Sequence, residues 1–164
     1  MRLKKKNYIV IVGCSQFGAT IASTFSQQGC DVVVIDQNDM AFRKLEYGFS
    51  GYKVIKDGTD VEVLIQAGIE QASLVVAATD DDNANLMISQ MAKEIFNVEE
   101  VVSRLYDVDK QILYRDLNIK MIHPTRLTMD EFDKLVMKRE GGNSNEGFNC
   151  WRTRESRFLN EFIT

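Results

Sequence analysis

The sequence predicts an α/β fold, a Rossmann-like doubly wound parallel sheet of six strands in the order 3-2-1-4-5-6. Three observations predict it. Short β-branched runs alternate with helical patterns from Tyr8 onward. A glycine turn, Gly13-Cys14-Ser15-Gln16-Phe17-Gly18, joins the first run to the first helix. An acid, Asp36, closes the second run about 20 residues past that turn. Strict alternation makes the strands parallel, with helices on both faces. Right-handed crossovers then give the strand order.

Each element has its own signal. "YIVIV" (8–12) is a buried strand by length and Ile/Val content. Residues 16–28 follow as a helix with Phe17, Ile21 and Phe25 on one face and Gly18 and Ala22 beside them. "DVVVID" (31–36) is the second strand, and "NDMAFRKLEY" a helix capped by Asn38 or Asp39. "YKVIKD" is the third strand. Thr59 or Asp60 caps "VEVLIQAG", which stops at Gly68. "SLVVAAT" (73–79) is the fourth strand. "DDNANLMISQMAKEIF" is a longer helix that buries Leu86, Met87, Met91, Ile95 and Phe96. "EEVVSRLY" gives a fifth strand, "DKQILYRDL" a helix, "IKMIH" a sixth strand and "RLTMDEFDKLVMK" a last helix. The composition shifts at Gly141. The expected organisation is a nucleotide-binding domain over 1–138, a linker over 139–147 and a short amphipathic tail over 148–164 that docks in cis or on a partner.

Composition narrows the function. The chain has 164 residues, 45% hydrophobic and 27% charged, ordinary for a soluble globular protein. The net charge of −4 argues against nucleic acid as a partner, which needs a basic face. No apolar run approaches the ~20 residues that span a bilayer, and no signal peptide is visible, so the chain is expected in the cytoplasm. Cys14, Cys30 and Cys150 are odd in number and lack a CxxC pair, which reads as reduced thiols. His123, the only histidine, is expected at a strand exit before Pro124.

The candidate site follows from the turn. Gly13 makes the tight turn, Gly18 lets the helix pack close to the sheet, and the helix N-terminus faces a phosphate. Ser15 stands where the second glycine of the dinucleotide fingerprint belongs, with a hydroxyl able to donate to a phosphate oxygen. Cys14, Gln16 and Phe17 complete the turn. Asp36, with Gln37, is placed at the ribose hydroxyls; its charge repels a 2′-phosphate and disfavours NADP. Asp57, Gly58 and Thr59 leave strand three on the adenine side, or form a turn and helix cap. Ala78 and Thr79 leave strand four. Arg104, ending strand five, meets a distal phosphate or pairs with a surface acid.

Catalytic machinery is not legible. Two Tyr-x-x-x-Lys strings, Tyr52 with Lys56 and Tyr106 with Lys110, lie in a strand and ahead of a helix. A dehydrogenase dyad needs them one helical turn apart. No Ser/His/Asp set, metal-ligand cluster or P-loop lysine occurs, so no catalytic or metal residue is assigned. Three acids at 80–82 fit a helix start.

The stretches "IVIVGCSQFGATIASTFSQQGCDVVVID" and "DGTDVEVLIQAGIEQASLVVAATDDDNANLMISQMAKE" resemble the RCK, or TrkA-N, domain over about residues 7–137. These domains are regulators of potassium channels and transporters. The resemblance implies a dimerising unit, or a higher ring, that binds NAD(H) or an adenine nucleotide (AMP, ADP or ATP). It implies a cytoplasmic subunit peripheral to the inner face of the membrane, which senses the nucleotide and gates an integral-membrane potassium partner. The implied site positions are Gly13, Ser15, Gly18, Asp36, Asp57, Thr59, Thr79 and Arg104. The chain departs from the pattern at Ser15, at Gln16 where many members carry a phosphate-binding arginine, and after Met137. There 27 residues are too few for the usual C-terminal ligand domain, which is expected on a separate chain if anywhere. The alternative function is a small NAD-dependent oxidoreductase subunit.

Overall fold

The computed structural model describes residues 7–115 and 117–137. The expected linker at 139–147 and tail at 148–164 lie outside the described residues, as do residues 1–6 and Cys150. The chain divides into two units, Met1–Leu127 and Thr128–Thr164.

The first unit holds a six-stranded sheet in the order β3-β2-β1-β4-β5-β6. The strands are β1 (Tyr8–Val12), β2 (Asp31–Asp36), β3 (Tyr52–Ile55), β4 (Leu74–Ala77), β5 (Glu100–Arg104) and β6 (Lys120–Ile122). Every pairing is parallel. Side chains alternate across a strand, so β1 feeds both faces. Ile9 and Ile11 pack with Ala19, Ala22 and Phe42 on one side. Val10 and Val12 pack with Val63, Leu64, Ile88 and Met91 on the other. Burial on both faces explains why the central strands read as unbroken apolar runs.

The helices are α1 (Gln16–Gln27), α2 (Val61–Gln66), α3 (Asp82–Gln90) and α4 (Pro124–Met137). Ser15 caps α1 by accepting from Gly18 N, and Asp60 caps α2 by accepting from Glu62 N. Gly68 ends the α2 segment in the left-handed region, at φ 75°. Three details of the sequence reading change. The face of α1 pressed onto the sheet is its small-residue face, including Gly18, Ala22 and Ser26, with Phe17, Ile21 and Phe25 flanking it half-buried. Small side chains let the helix axis approach the strands closely. The segment after β2 is a 3-10 helix (Asp39–Lys44) capped by Asn38, and the one after β5 is another (Val108–Tyr114).

The third change concerns α3. Met87 and Ile95 are 47% and 58% exposed. Met91 is buried as expected and Leu86 and Phe96 are half-buried, but the stripe turned fully inward is Asn85, Ile88, Ser89 and Ala92, at i, i+3, i+4 and i+7. Two members of this stripe are polar, so a search for apolar spacing skips it. Asn85 faces inward because its carboxamide bonds backbone there. Past Gln90 the helix continues as a π-helical stretch, Met91–Ile95, which moves Ile95 off the inward stripe.

Candidate functional site

Register brings the strand ends to one level. Val12 pairs with Ile35 and with Ala77, and Ala77 pairs with Ser103. The next residues, Gly13, Asp36, Ala78 and Arg104, therefore share the carboxyl edge of the sheet. β1 is where the strand order reverses, with β2 on one side and β4 on the other. Open α/β sheets bind ligands at such a switch point. A cavity of about 520 Å³ opens there.

The turn from β1 to α1 is tightly held. Gly13 has φ +100°, and a Cβ on it would run into the backbone of Ala78 and Thr79. A Cβ on Gly18 would strike the Gly13 carbonyl oxygen. Both glycines keep the turn against the end of β4. Ser15 fastens it from below: Oγ donates to Ala78 O at 2.7 Å and accepts from Gly18 N at 3.2 Å and from Arg104 Nη1 at 3.1 Å. Its single proton is thus committed to Ala78. The expected donation from Ser15 to a phosphate meets a competing internal partner.

Asp36 is fixed as a two-pronged acceptor. Oδ2 accepts from Cys14 N at 2.7 Å and Oδ1 from Asn38 N at 2.8 Å. Each oxygen has two lone pairs, so each keeps one for a further donor. A vicinal diol matches that arrangement. Beside it, burial first and the Asp36 charge second push the Cys14 thiol up from its usual value. Its Sγ donates to Ala41 O at 3.3 Å.

Asp57 forms the turn that was one of its two expected readings. Its Oδ1 accepts from Thr59 N at 2.8 Å and from Thr59 Oγ1 at 2.7 Å. The Thr59 backbone bond, the Thr59 hydroxyl and Gln37 hold its carboxyl below the usual range. On the far side, Thr79 N and Oγ1 both donate to Asn85 Oδ1, at 2.9 and 2.7 Å. Asn85 Nδ2 donates to Thr79 O at 3.0 Å and Arg104 O at 3.1 Å. One buried carboxamide therefore ties the ends of β4 and β5 together.

Arg104 is 3% exposed and heavily engaged. Besides Ser15, its guanidinium donates to Thr79 O and pairs with Asp80. It also stacks 4.6 Å from the centre of the Tyr106 ring. Of the two expected roles, the structure displays the pairing with a surface acid.

The predicted residues that line the cavity are Gly13, Ser15, Asp36, Gln37, Asp57, Gly58, Thr59 and Thr79. Cys14, Gln16, Phe17, Gly18, Ala78 and Arg104 surround it without lining it. The sequence reading missed Lys44. The 3-10 helix explains why: at three residues per turn, Asn38, Ala41 and Lys44 eclipse, and all three line the cavity. On an α-helix Lys44 would stand roughly 120° from Asn38, at 100° per residue. Lys44 Nζ donates to Cys14 O at 3.1 Å. Asp80 and Asp81 also line the cavity. Asp81 caps α3 by accepting from Asn83 N and Ala84 N.

Chemically, the cavity offers a diol acceptor, a helix N-terminus and one lining cation beside four lining carboxylates. Among the described residues no group of three or more His, Cys, Asp or Glu could hold a metal ion. Tyr52 lies in β3, and Tyr106 follows β5 with Lys110 on the next 3-10 helix. Neither pair has the helical spacing of a dehydrogenase dyad.

Strand order, glycine turn and switch-point cavity together define a Rossmann-type domain. More narrowly, the chain belongs to the TrkA-N domain family, whose profile matches residues 9–124. The chain is similar to the Trk system potassium uptake protein TrkA of Streptomyces coelicolor, 38% identical over 130 residues, 79% of this chain and 58% of that protein. It thus spans little more than half the length of that curated relative. Its fold is similar to the Shewanella denitrificans Kef CTD in its AMP-bound form, with TM-score 0.72, 20% identity and 84% of each chain covered. It is also similar to the GsuK channel bound to NAD, with TM-score 0.70, 20% identity, and 85% of this chain and 25% of that one covered. Among the described residues no helix is long and apolar enough to cross a membrane.

Proposed function

We propose that this chain is a nucleotide-sensing regulatory subunit of a potassium uptake system or channel, and that it binds NAD(H) or an adenine nucleotide without transforming it. One observation carries the reading. Asp36 is held by two backbone N–H groups at the edge of the switch-point cavity, with one lone pair on each oxygen turned to spare. That is a fixed receptor for ribose hydroxyls, and its charge opposes a 2′-phosphate, so NADP is disfavoured. The family and the Streptomyces relative support the potassium context. The AMP-bound and NAD-bound fold neighbours support the ligand class.

Regulation without chemistry fits the surroundings of the cavity. The polar side chains around it mostly bond backbone, as in Ser15, Asn85, Asp57 and Asp81, and this builds a rigid receptor. A ligand bridging Asp36 on one side and Thr79 on the other would bias the spacing of the two sheet halves, and differential affinity for two spacings is what a switch requires. The subunit then acts from the cytoplasmic side, as a homodimer or larger ring, on an integral-membrane partner. Helix α4 offers surface for assembly: Met129, Phe132 and Val136, at i, i+3 and i+7, are 43%, 54% and 43% exposed.

The test is potassium or rubidium uptake by vesicles carrying a Trk-type membrane subunit, with and without this chain, at varied NAD and AMP. The expected result is uptake that changes with nucleotide only when the chain is present. Uptake indifferent to the chain overturns the potassium reading. Turnover of NADH with small carbonyl substrates would instead favour an oxidoreductase subunit.

A further inference from the structure

Resting on the nucleotide reading above, we infer that Lys44 is the phosphate-binding cation of this site and takes the 5′-phosphate of an adenosine nucleotide. The argument begins with supply and demand for positive charge. Two other cations stand near the turn, and neither lines the cavity: Lys53, which is felt electrostatically at Cys14, and Arg104, whose terminal nitrogens are bonded to Ser15, Thr79 O and Asp80 and whose guanidinium stacks on Tyr106, with its buried Nε left unbonded. Position 16, at the start of α1, is a glutamine. The α1 N-terminus contributes the N–H groups of its first turn, with Gly18 N already given to Ser15 Oγ. A phosphate on that terminus needs a counter-charge, because Asp36, Asp57 and Asp81 also line the cavity.

Lys44 is placed to supply it. Its ammonium is tethered to the carbonyl of Cys14, inside the turn that would cradle the phosphate. That bond uses one of three N–H donors, so two remain for phosphate oxygens. The tether also decides which phosphate. Asp36 occupies the ribose-hydroxyl edge and repels a 2′-phosphate, whereas the Cys14 carbonyl lies in the β1–α1 turn itself. The side chain is exposed and takes no part in the core. A lysine kept there, bonded to a lone backbone carbonyl, exchanges a weak partner for a strong one when a phosphate arrives.

The experiment is calorimetric titration of the unaltered chain, Lys44→Gln and Lys44→Arg with adenosine, AMP and adenosine 2′-monophosphate, at fixed salt. The unaltered chain is expected to bind AMP more tightly than adenosine. Lys44→Gln should weaken AMP by about tenfold to a hundredfold, the range of one charge-assisted hydrogen bond, and leave adenosine unchanged. Lys44→Arg should recover most of the loss. Equal weakening of adenosine and AMP, or no weakening of either, overturns the assignment. A loss confined to the 2′-monophosphate overturns it as well, since Lys44 would then face the other end of the ribose. If the unaltered chain binds none of the three, the site itself is misread and this inference falls with it.

Discussion

At the scale of the residue, the site depends on a few side chains whose partners are fixed. Asp36→Ala removes both the proposed diol acceptor and the bonds to Cys14 N and Asn38 N. It should weaken adenosine-containing ligands by roughly 1–3 kcal/mol, the cost of a charged hydrogen-bond partner, measured by titration of AMP and NAD. Gly13→Ala meets a φ of +100° and a backbone wall at Ala78–Thr79. It should cost more than about 1 kcal/mol, visible as a lowered urea midpoint. Cys14 is fully buried, and its thiol is raised first by burial and then by Asp36. A raised thiol favours the protonated native state, so this stabilising effect is complete below the unfolded pKa and disappears as pH rises through the native one. Near neutral pH, mass mapping after a thiol reagent should find Cys30 labelled and Cys14 spared until urea is added. Asp57 has the opposite sign. Its lowered carboxyl contributes stability above the ordinary carboxylate pKa of about 4, lost as pH falls through the native value. Because the group is exposed the effect is small. NMR titration should show Asp57 protonating at a pH below the ordinary carboxylate range.

At the scale of the element, α3 is the piece that locks the two strand ends beside the cavity. Asn85 ties Thr79 to Arg104 O, and Asp82 accepts from Tyr106 N and Asp107 N, each at 2.9 Å. Asn85→Ala strands several buried backbone groups and should destabilise by about 2–4 kcal/mol in urea unfolding. Elements whose pattern is apolar and periodic were legible from the residues alone: β1 and β2 carry the boundaries their β-branched runs announce. Elements organised by polar contacts were not. The inward stripe of α3 includes Asn85, whose carboxamide reaches Arg104 O 19 residues further on, and Ser89, whose buried Oγ has no hydrogen-bond partner among the described residues. The segment after β2 looks helical by composition. Its 3-10 geometry, which gathers Asn38, Ala41 and Lys44 onto one face, has no signature in residue type.

At the scale of the whole molecule, strand order and the position of the cavity follow from alternation and handedness, so the acids and the glycine turn of the switch point are legible in the residues alone. They do not show how charge is distributed among partners. Ser15, which lines the cavity, and Arg104, read as the partner of a distal phosphate or of a surface acid, are bonded to each other and to the backbone, while Lys44, which no motif singles out, also lines the cavity. The molecule is therefore a Rossmann frame whose switch-point cavity is braced from within, and the proposed function places a nucleotide in that cavity. That claim is tested most directly by incubating the purified chain with NADH and with AMP, measuring binding by calorimetry and then recovering the nucleotide for chromatography. The expected result is saturable binding of at least one of the two, abolished or strongly weakened by Asp36→Ala, with the nucleotide recovered unchanged. No binding to the unaltered chain, or recovery of NADH as an oxidised product in amounts beyond a no-protein control, would contradict it.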